Sequence, residues 1–119
     1  MKTIEEIEKF AHEEHVPIAR KQVVKYMLDL IKTNDYHTFF EIGTAIGYTS
    51  SVLYLNADDF HVTTIEKNEK RANIAKENFK DLGIEDKINF IVGDATLYET
   101  NSKFDLIFID ASKKKNKYY

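Results

Sequence analysis

The sequence predicts an α/β fold, a parallel sheet with helices on both faces. Three observations predict it. Short β-branched or aromatic runs alternate with segments of helical periodicity, which implies right-handed βαβ units. The fourth such run, residues 104–109 (FDLIFI), is apolar almost throughout, as a strand covered on both faces should be. Acidic residues recur at the ends of the strand-like runs, where open α/β sheets hold their ligands.

Taken in order, residues 3–14 read as a mostly polar helix. Pro17 stands where a second helix could begin, since its missing N–H is not needed in a first turn. Val24, Met27, Leu28 and Ile31 then fall at i, i+3, i+4 and i+7, one apolar helical face running to about Thr33. Residues 38–42 (TFFEI) form the first strand, the segment from Gly43 to Gly47 breaks it, and residues 48–55 are helical. The alternation repeats with a strand at 62–66 (VTTIE) and a helix over 68–82, whose Ala72, Ala75, Phe79 and Leu82 share a face. Gly83 stands just past its end as a stop. A third strand spans 87–92, a short turn or helix 95–98, and the fourth strand 104–109.

The chain of 119 residues is the size of one domain, with N-terminal helices over 1–34, a βαβ core over 37–110 and a basic tail over 113–119. It has no cysteine, which excludes disulfides and a zinc finger. No apolar run approaches the roughly 20 residues that span a bilayer, and the polar start MKTIEEIEKF is no signal peptide, so the expected location is cytoplasmic. The net charge of −3 hides an asymmetry, because residues 113–119 (KKKNKYY) hold four lysines. The preceding body is acidic, which argues against a broad DNA-binding face, whose main affinity comes from phosphate neutralisation. His12, His15, His37 and His61 are scattered singly and read as structural or surface residues.

Four acids mark four strand ends: Glu41 two positions before Gly43, Glu66 ending the second strand, Asp94 after the third, Asp110 ending the fourth. A rim of carboxylates suits a ligand offering hydroxyls, an exocyclic amine or a positive charge, rather than a bare polyphosphate. Gly43 allows a tight turn and close backbone approach, and the helix start at Gly47 presents free N–H groups. Glu66 follows Gly43 at close to the ~20-residue separation at which a strand-end acid reaches ribose hydroxyls. Asp94 would meet the next portion of such a ligand, an adenine amine. Asp94 and Asp110 each precede a potential helix, so either could equally be an N-cap.

The segments EIGTAIGYTS, VTTIEKNEKR, INFIVGDA and FDLIFIDASK, in this order and spacing, resemble the class I S-adenosylmethionine-dependent methyltransferases. More narrowly they resemble the O-methyltransferase family that includes the catechol and caffeoyl-CoA enzymes. The stretch AHEEHVPIARKQ is similar to the bacterial branch acting on 5-hydroxyuridine at the tRNA wobble position. The resemblance implies a Rossmann-like fold and a set of roles. Glu41, Gly43 and Gly47 shape the cofactor loop, with Thr49 near the methionine carboxylate. Glu66 binds both ribose hydroxyls, and Asp94 and Ala95 line the adenine pocket. Asp110 matches a metal-binding aspartate, and Lys113 the lysine proposed as general base. A Mg²⁺ ion would lower the pKa of the acceptor hydroxyl before attack on the methyl group.

The family pattern continues beyond FIDASK with further strands and an Asp-Asn pair that completes the metal site, so the chain reads as a methyltransferase cut short. Asp110 alone cannot hold Mg²⁺, which demands several oxygen ligands. An unpaired fourth strand predicts self-association. Two other classes stay in view: a non-catalytic cofactor-binding or RNA-associated module, and a nicotinamide-dependent oxidoreductase. Against the latter, the loop is G-x-x-x-G rather than G-x-G-x-x-G.

Overall fold

A computed structural model describes residues 2–98 and 102–110. The elements run α1 (Ile4–Glu13), α2 (Lys21–Asn34), β1 (Thr38–Ile42), α3 (Tyr48–Asn56), β2 (His61–Glu66), α4 (Glu69–Asp81), β3 (Ile88–Val92), a 3-10 turn (Ala95–Leu97) and β4 (Leu106–Ile109). The strands form one parallel sheet in the order β3-β2-β1-β4. The α/β fold class and every strand position follow the sequence expectation, with β4 shorter at its start.

Strand alternation sorts the sheet residues into two faces. The register puts Phe39, Val62, Ile88 and Leu106 on one face, and Phe40, Thr63, Asn89 and Ile107 on the other. The first face carries the core. Phe39 and Val62 pack in one cluster with Ile7, Ala11, Val24, Met27, Ile31, Leu53 and Phe79 from all four helices. Phe79 of α4 meets Phe90 of β3 edge-on at 5.5 Å. The described residues therefore supply one of the two expected helical layers. On the opposite face Phe40 stacks between Tyr98 and Phe104, at 5.5 and 5.1 Å, while Ile107 and Ile109 stay half exposed.

Three helices stop in the same way. In α4, Gly83 adopts φ 75°, its N–H reaches the Lys80 carbonyl, and the Ile84 N–H reaches Phe79. That six-to-one closure is the Schellman arrangement. His15 (φ 54°) and Asp35 (φ 56°) take the same left-handed position after α1 and α2, with Val16 bonded back to Ala11 and Tyr36 to Ile31. The α1 stop corrects the reading of Pro17. After the turn at His15 the chain stays out of helix until Lys21, and Ile18 and Ala19 line a crevice at the carboxyl edge of the sheet. Tertiary docking of those two side chains overrides the proline's preference for a helix start.

Candidate functional site

The carboxyl ends of β1 and β4 and the start of α3 enclose a small crevice lined by Ile18, Ala19, Glu41, Gly43, Thr44, Ala45, Tyr48, Thr49 and Asp110. Four predicted site residues besides the acids Glu41 and Asp110 belong to this region: Gly43 and Thr49 line it, Gly47 caps α3, and Glu66 grips its loop. A wider hollow lies on the other side of Ile18, between α1 and residues 15–18, and none of its lining residues belongs to a strand end.

The loop between β1 and α3 is held in an unusual backbone path. Gly43 and Gly47 have φ 99° and 87°, and Ala45 between them has φ 52°. A left-handed conformation costs a non-glycine residue on the order of 1–2 kcal/mol, so something must hold Ala45 there. Glu66 does. Its Oε1 accepts the Ala45 N–H at 2.7 Å, while its Oε2 accepts the Asn68 N–H at 3.0 Å. Below, the Gly43 and Thr44 amides bond to the Ile65 carbonyl at 2.9 and 3.2 Å. Gly47 is required on steric grounds as well, because a Cβ there would sit 2.7 Å from the Phe79 ring.

Glu41 lies at the bottom, 1% exposed. Its Oε1 accepts hydrogen bonds from Ser50 Oγ at 2.7 Å and Thr64 Oγ1 at 2.8 Å. Thr64 spends its proton on Glu41, so Thr44 Oγ1, 2.6 Å away, donates to Thr64. Burial pushes the Glu41 carboxyl up to about 8, against the smaller opposing pull of the two hydroxyls, and the nearby charges of Asp110 and Glu66 add to the rise. Asp110 at the end of β4, whose N–H bonds to the Ile42 carbonyl at 2.8 Å, is also raised by burial.

Asp94 sits one strand over, linked to Glu66 through the Gly93 N–H, which bonds to the Glu66 carbonyl at 2.8 Å. Its carboxylate caps the 3-10 turn, accepting from the Thr96 N–H at 2.9 Å and the Thr96 hydroxyl at 2.8 Å. Those bonds hold its pKa below the usual carboxylate value. The cap alternative left open for Asp94 is thus realised. Ala95, the first residue of the turn, is half-buried. Lys113 and the rest of the tail lie outside the described residues.

The metal assignment of Asp110 finds no support. Among the described residues no group of three or more His, Asp or Glu side chains is arranged to hold a metal ion. The crevice's other acid, Glu41, is buried and committed to two hydroxyls, so the donors here do not fit Mg²⁺. Two side-chain contacts add to the sequence reading. His37 and His61, read as structural or surface residues, lie at the surface and share Asp59 at the opposite edge of the sheet: His37 Nδ1 lies 2.8 Å from the Asp59 carbonyl, and His61 Nε2 3.7 Å from its carboxylate. Tyr48 was read only as the start of a helix. Its hydroxyl donates to Glu8 of α1 at 2.6 Å, and burial pushes its pKa up.

A parallel sheet with a glycine turn and acids gathered at its carboxyl edge defines a Rossmann-like α/β domain. The family is more specific. The profile of the O-methyltransferase family matches residues 2–119, and the chain belongs to that family. It is 36% identical over 85 residues to a catechol O-methyltransferase of Mycobacterium tuberculosis, covering 66% of this chain and 38% of that one. A Staphylococcus aureus structure, provisionally described as a caffeoyl-CoA O-methyltransferase, superposes with TM-score 0.88 at 37% identity over 98% of this chain and 57% of that one. An O-methyltransferase from Bacillus cereus in complex with SAH gives TM-score 0.79 at 28% identity, covering 100% and 59%. The chain thus spans about half the length of the relatives it matches. Family membership sets aside the oxidoreductase alternative. No described helix is long and apolar enough to cross a membrane.

Proposed function

We propose that this chain binds S-adenosylmethionine along the carboxyl edge of its sheet and serves methyl transfer to a hydroxyl group. The observation that carries the reading is the loop over 43–47, fixed in a left-handed path by Glu66 beside the buried Glu41. Each Glu66 oxygen accepts one backbone N–H and keeps a lone pair, so both can also receive a ribose hydroxyl. Asp110 supplies negative charge where the cofactor's cationic methionine end lies, with the protonated Glu41 carboxyl beside it, and the loop and Thr49 at the start of α3 face its carboxylate. Asp94 and Ala95 flank the adenine. When bound, the cofactor supplies a methyl group on a positively charged sulfur. The protein's part is to align that group with the acceptor oxygen. Lys113 is the proposed base for the acceptor's proton, with Asp110, three positions earlier in the sequence, as the second catalytic residue.

The segment AHEEHVPIARKQ favours tRNA wobble 5-hydroxyuridine as acceptor, and hence a cytoplasmic site of action; a small catechol-like phenol is the alternative. The β4 edge, unpaired among the described residues and carrying half-exposed Ile107 and Ile109, supports self-association. The test is calorimetric titration of the purified chain with S-adenosylhomocysteine and with NAD. It is followed by transfer of labelled methyl to bulk tRNA and to a catechol, with sedimentation run alongside. Saturable binding of S-adenosylhomocysteine but not NAD is expected. No binding would overturn the reading, and binding without transfer to either acceptor would leave a cofactor-binding module.

A further inference from the structure

Asn78 is a buried amide that the cofactor reading does not use. It is 2% exposed on α4, and it reaches out of its helix in two directions. Nδ2 donates to the carbonyl of Ile46 at 2.8 Å, and Oδ1 accepts from Lys2 Nζ at 2.7 Å. The orientation of the amide is dictated by its partners, since a carbonyl only accepts and an ammonium only donates. Lys2 is itself fixed by Asp81, one turn further along α4, at 3.2 Å.

Ile46 stands between the two left-handed residues of the loop, Ala45 and Gly47. Glu66 holds the loop by the Ala45 N–H, in the peptide that joins 44 to 45, and Asn78 holds it two peptides later by the Ile46 carbonyl, in the peptide that joins 46 to 47. The left-handed stretch over 45–47 is therefore pinned at both ends by side chains from outside the loop. We propose that Asn78 is a positioning residue for the cofactor loop: with Lys2 behind it, it fixes the Ile46 carbonyl and so aims the amides at the start of α3. This rests on the functional reading above. Loss of the amide N–H leaves that peptide held only through the Gly47 N–H, which bonds to the Thr44 carbonyl at 2.9 Å within the loop, and the cofactor must then order the loop at the expense of its affinity.

Asn78→Asp keeps the shape and the Lys2 contact but replaces the donor with an oxygen facing the Ile46 carbonyl. Lys2→Met keeps the stem and removes the ammonium. Ile84→Ala, beyond the end of α4, is a control that lowers stability without removing any side-chain hydrogen bond to the loop. Affinity for S-adenosylhomocysteine is measured well below each variant's melting temperature, with amide hydrogen exchange of residues 44–48. Asn78→Asp is expected to weaken binding at least tenfold and speed exchange in this segment, Lys2→Met to weaken it about threefold, and Ile84→Ala to change neither. Wild-type affinity and unchanged exchange in a folded Asn78→Asp protein would overturn the proposal. If the wild-type chain fails to bind, the functional reading falls, and the exchange comparison alone decides whether Asn78 anchors the loop.

Discussion

The buried Glu41 makes a quantitative prediction about pH. Its carboxyl stands at about 8 in the fold, against an ordinary value of 4.5, with burial as the main cause. Between those values the folded chain holds a proton that the unfolded chain has released. Folding is thus most favoured by this group below pH 4.5, and the contribution is lost as pH rises toward 8. The slope is about 1.4 kcal/mol per pH unit, so from pH 5 to 6.5 roughly 2 kcal/mol disappears. For a chain of this size that is a fall in melting temperature on the order of 5–10 °C. The window is a clean one. Asp94 and Asp105, both lowered, lose their contributions only as pH falls below the ordinary aspartate value, and the raised His37 acts only above 6.5. Asp110 acts with the same sign as Glu41, which a subtraction removes. Glu41→Gln can still accept from Ser50 and Thr64 but carries no charge at any pH. Thermal melts without cofactor should show Glu41→Gln gaining on wild type across pH 5–6.5 with that slope. Parallel curves for the two proteins would refute the reasoning, because they would mean that Glu41 ionises in the fold as freely as in water.

Four other substitutions have defined outcomes. Glu66→Ala removes the acceptor of the Ala45 and Asn68 amides, so it should lower stability by about 2–4 kcal/mol in a denaturant melt. It should also weaken S-adenosylhomocysteine by about 1.5–3 kcal/mol, roughly ten- to hundredfold by calorimetry, with Glu66→Gln intermediate because one of its termini cannot accept. Gly47→Ala must adopt φ 87° and push the Phe79 ring from 2.7 Å, whereas Gly83→Ala at φ 75° meets open space. The first should cost at least 2 kcal/mol and the second about 1, read by the same melts; equal costs would show that the contact with Phe79 yields freely.

The sheet and the rim of acids were legible because both are written locally. Thr38–Ile42 is a run of strand-forming residues ended by Gly43, and Glu66 and Asp110 follow directly on such runs. The Gly83 stop was legible for the same reason, since only glycine enters the left-handed region at no cost. His15 and Asp35 make the same turn without that signature, and the start of α2 was misplaced at Pro17 because the docking of Ile18 and Ala19 in the crevice is not written locally. Least legible were the contacts that join distant segments. Lys2 and Asn78 are separated by 76 positions, Glu8 and Tyr48 by 40, and Ile46 and Asn78 by 32. Nothing around Asn78 distinguishes it from a solvated helical asparagine until the fold sets it beneath the glycine loop. The burial of Glu41 was hidden for a related reason, because its hydroxyl partners come from α3 and β2.

The placement of β1 between β2 and β4 also sets an order of assembly. β1 meets β2 across a separation of about 23 residues, and β2 meets β3 across about 26, each crossover being a single helix. β4 reaches β1 only across 67. Closing that longer loop costs about 1 kcal/mol more in chain entropy, and the pairing is of the non-local kind that slows folding. Strands β1 to β3 with α3 and α4 can therefore condense as the chain is made, whereas β4 must wait until the remainder has emerged. Glu41, Glu66 and the glycine loop all belong to the early part, and Asp110 to the late strand. The crevice is thus shaped first on one side and closed last by the residue at the end of β4.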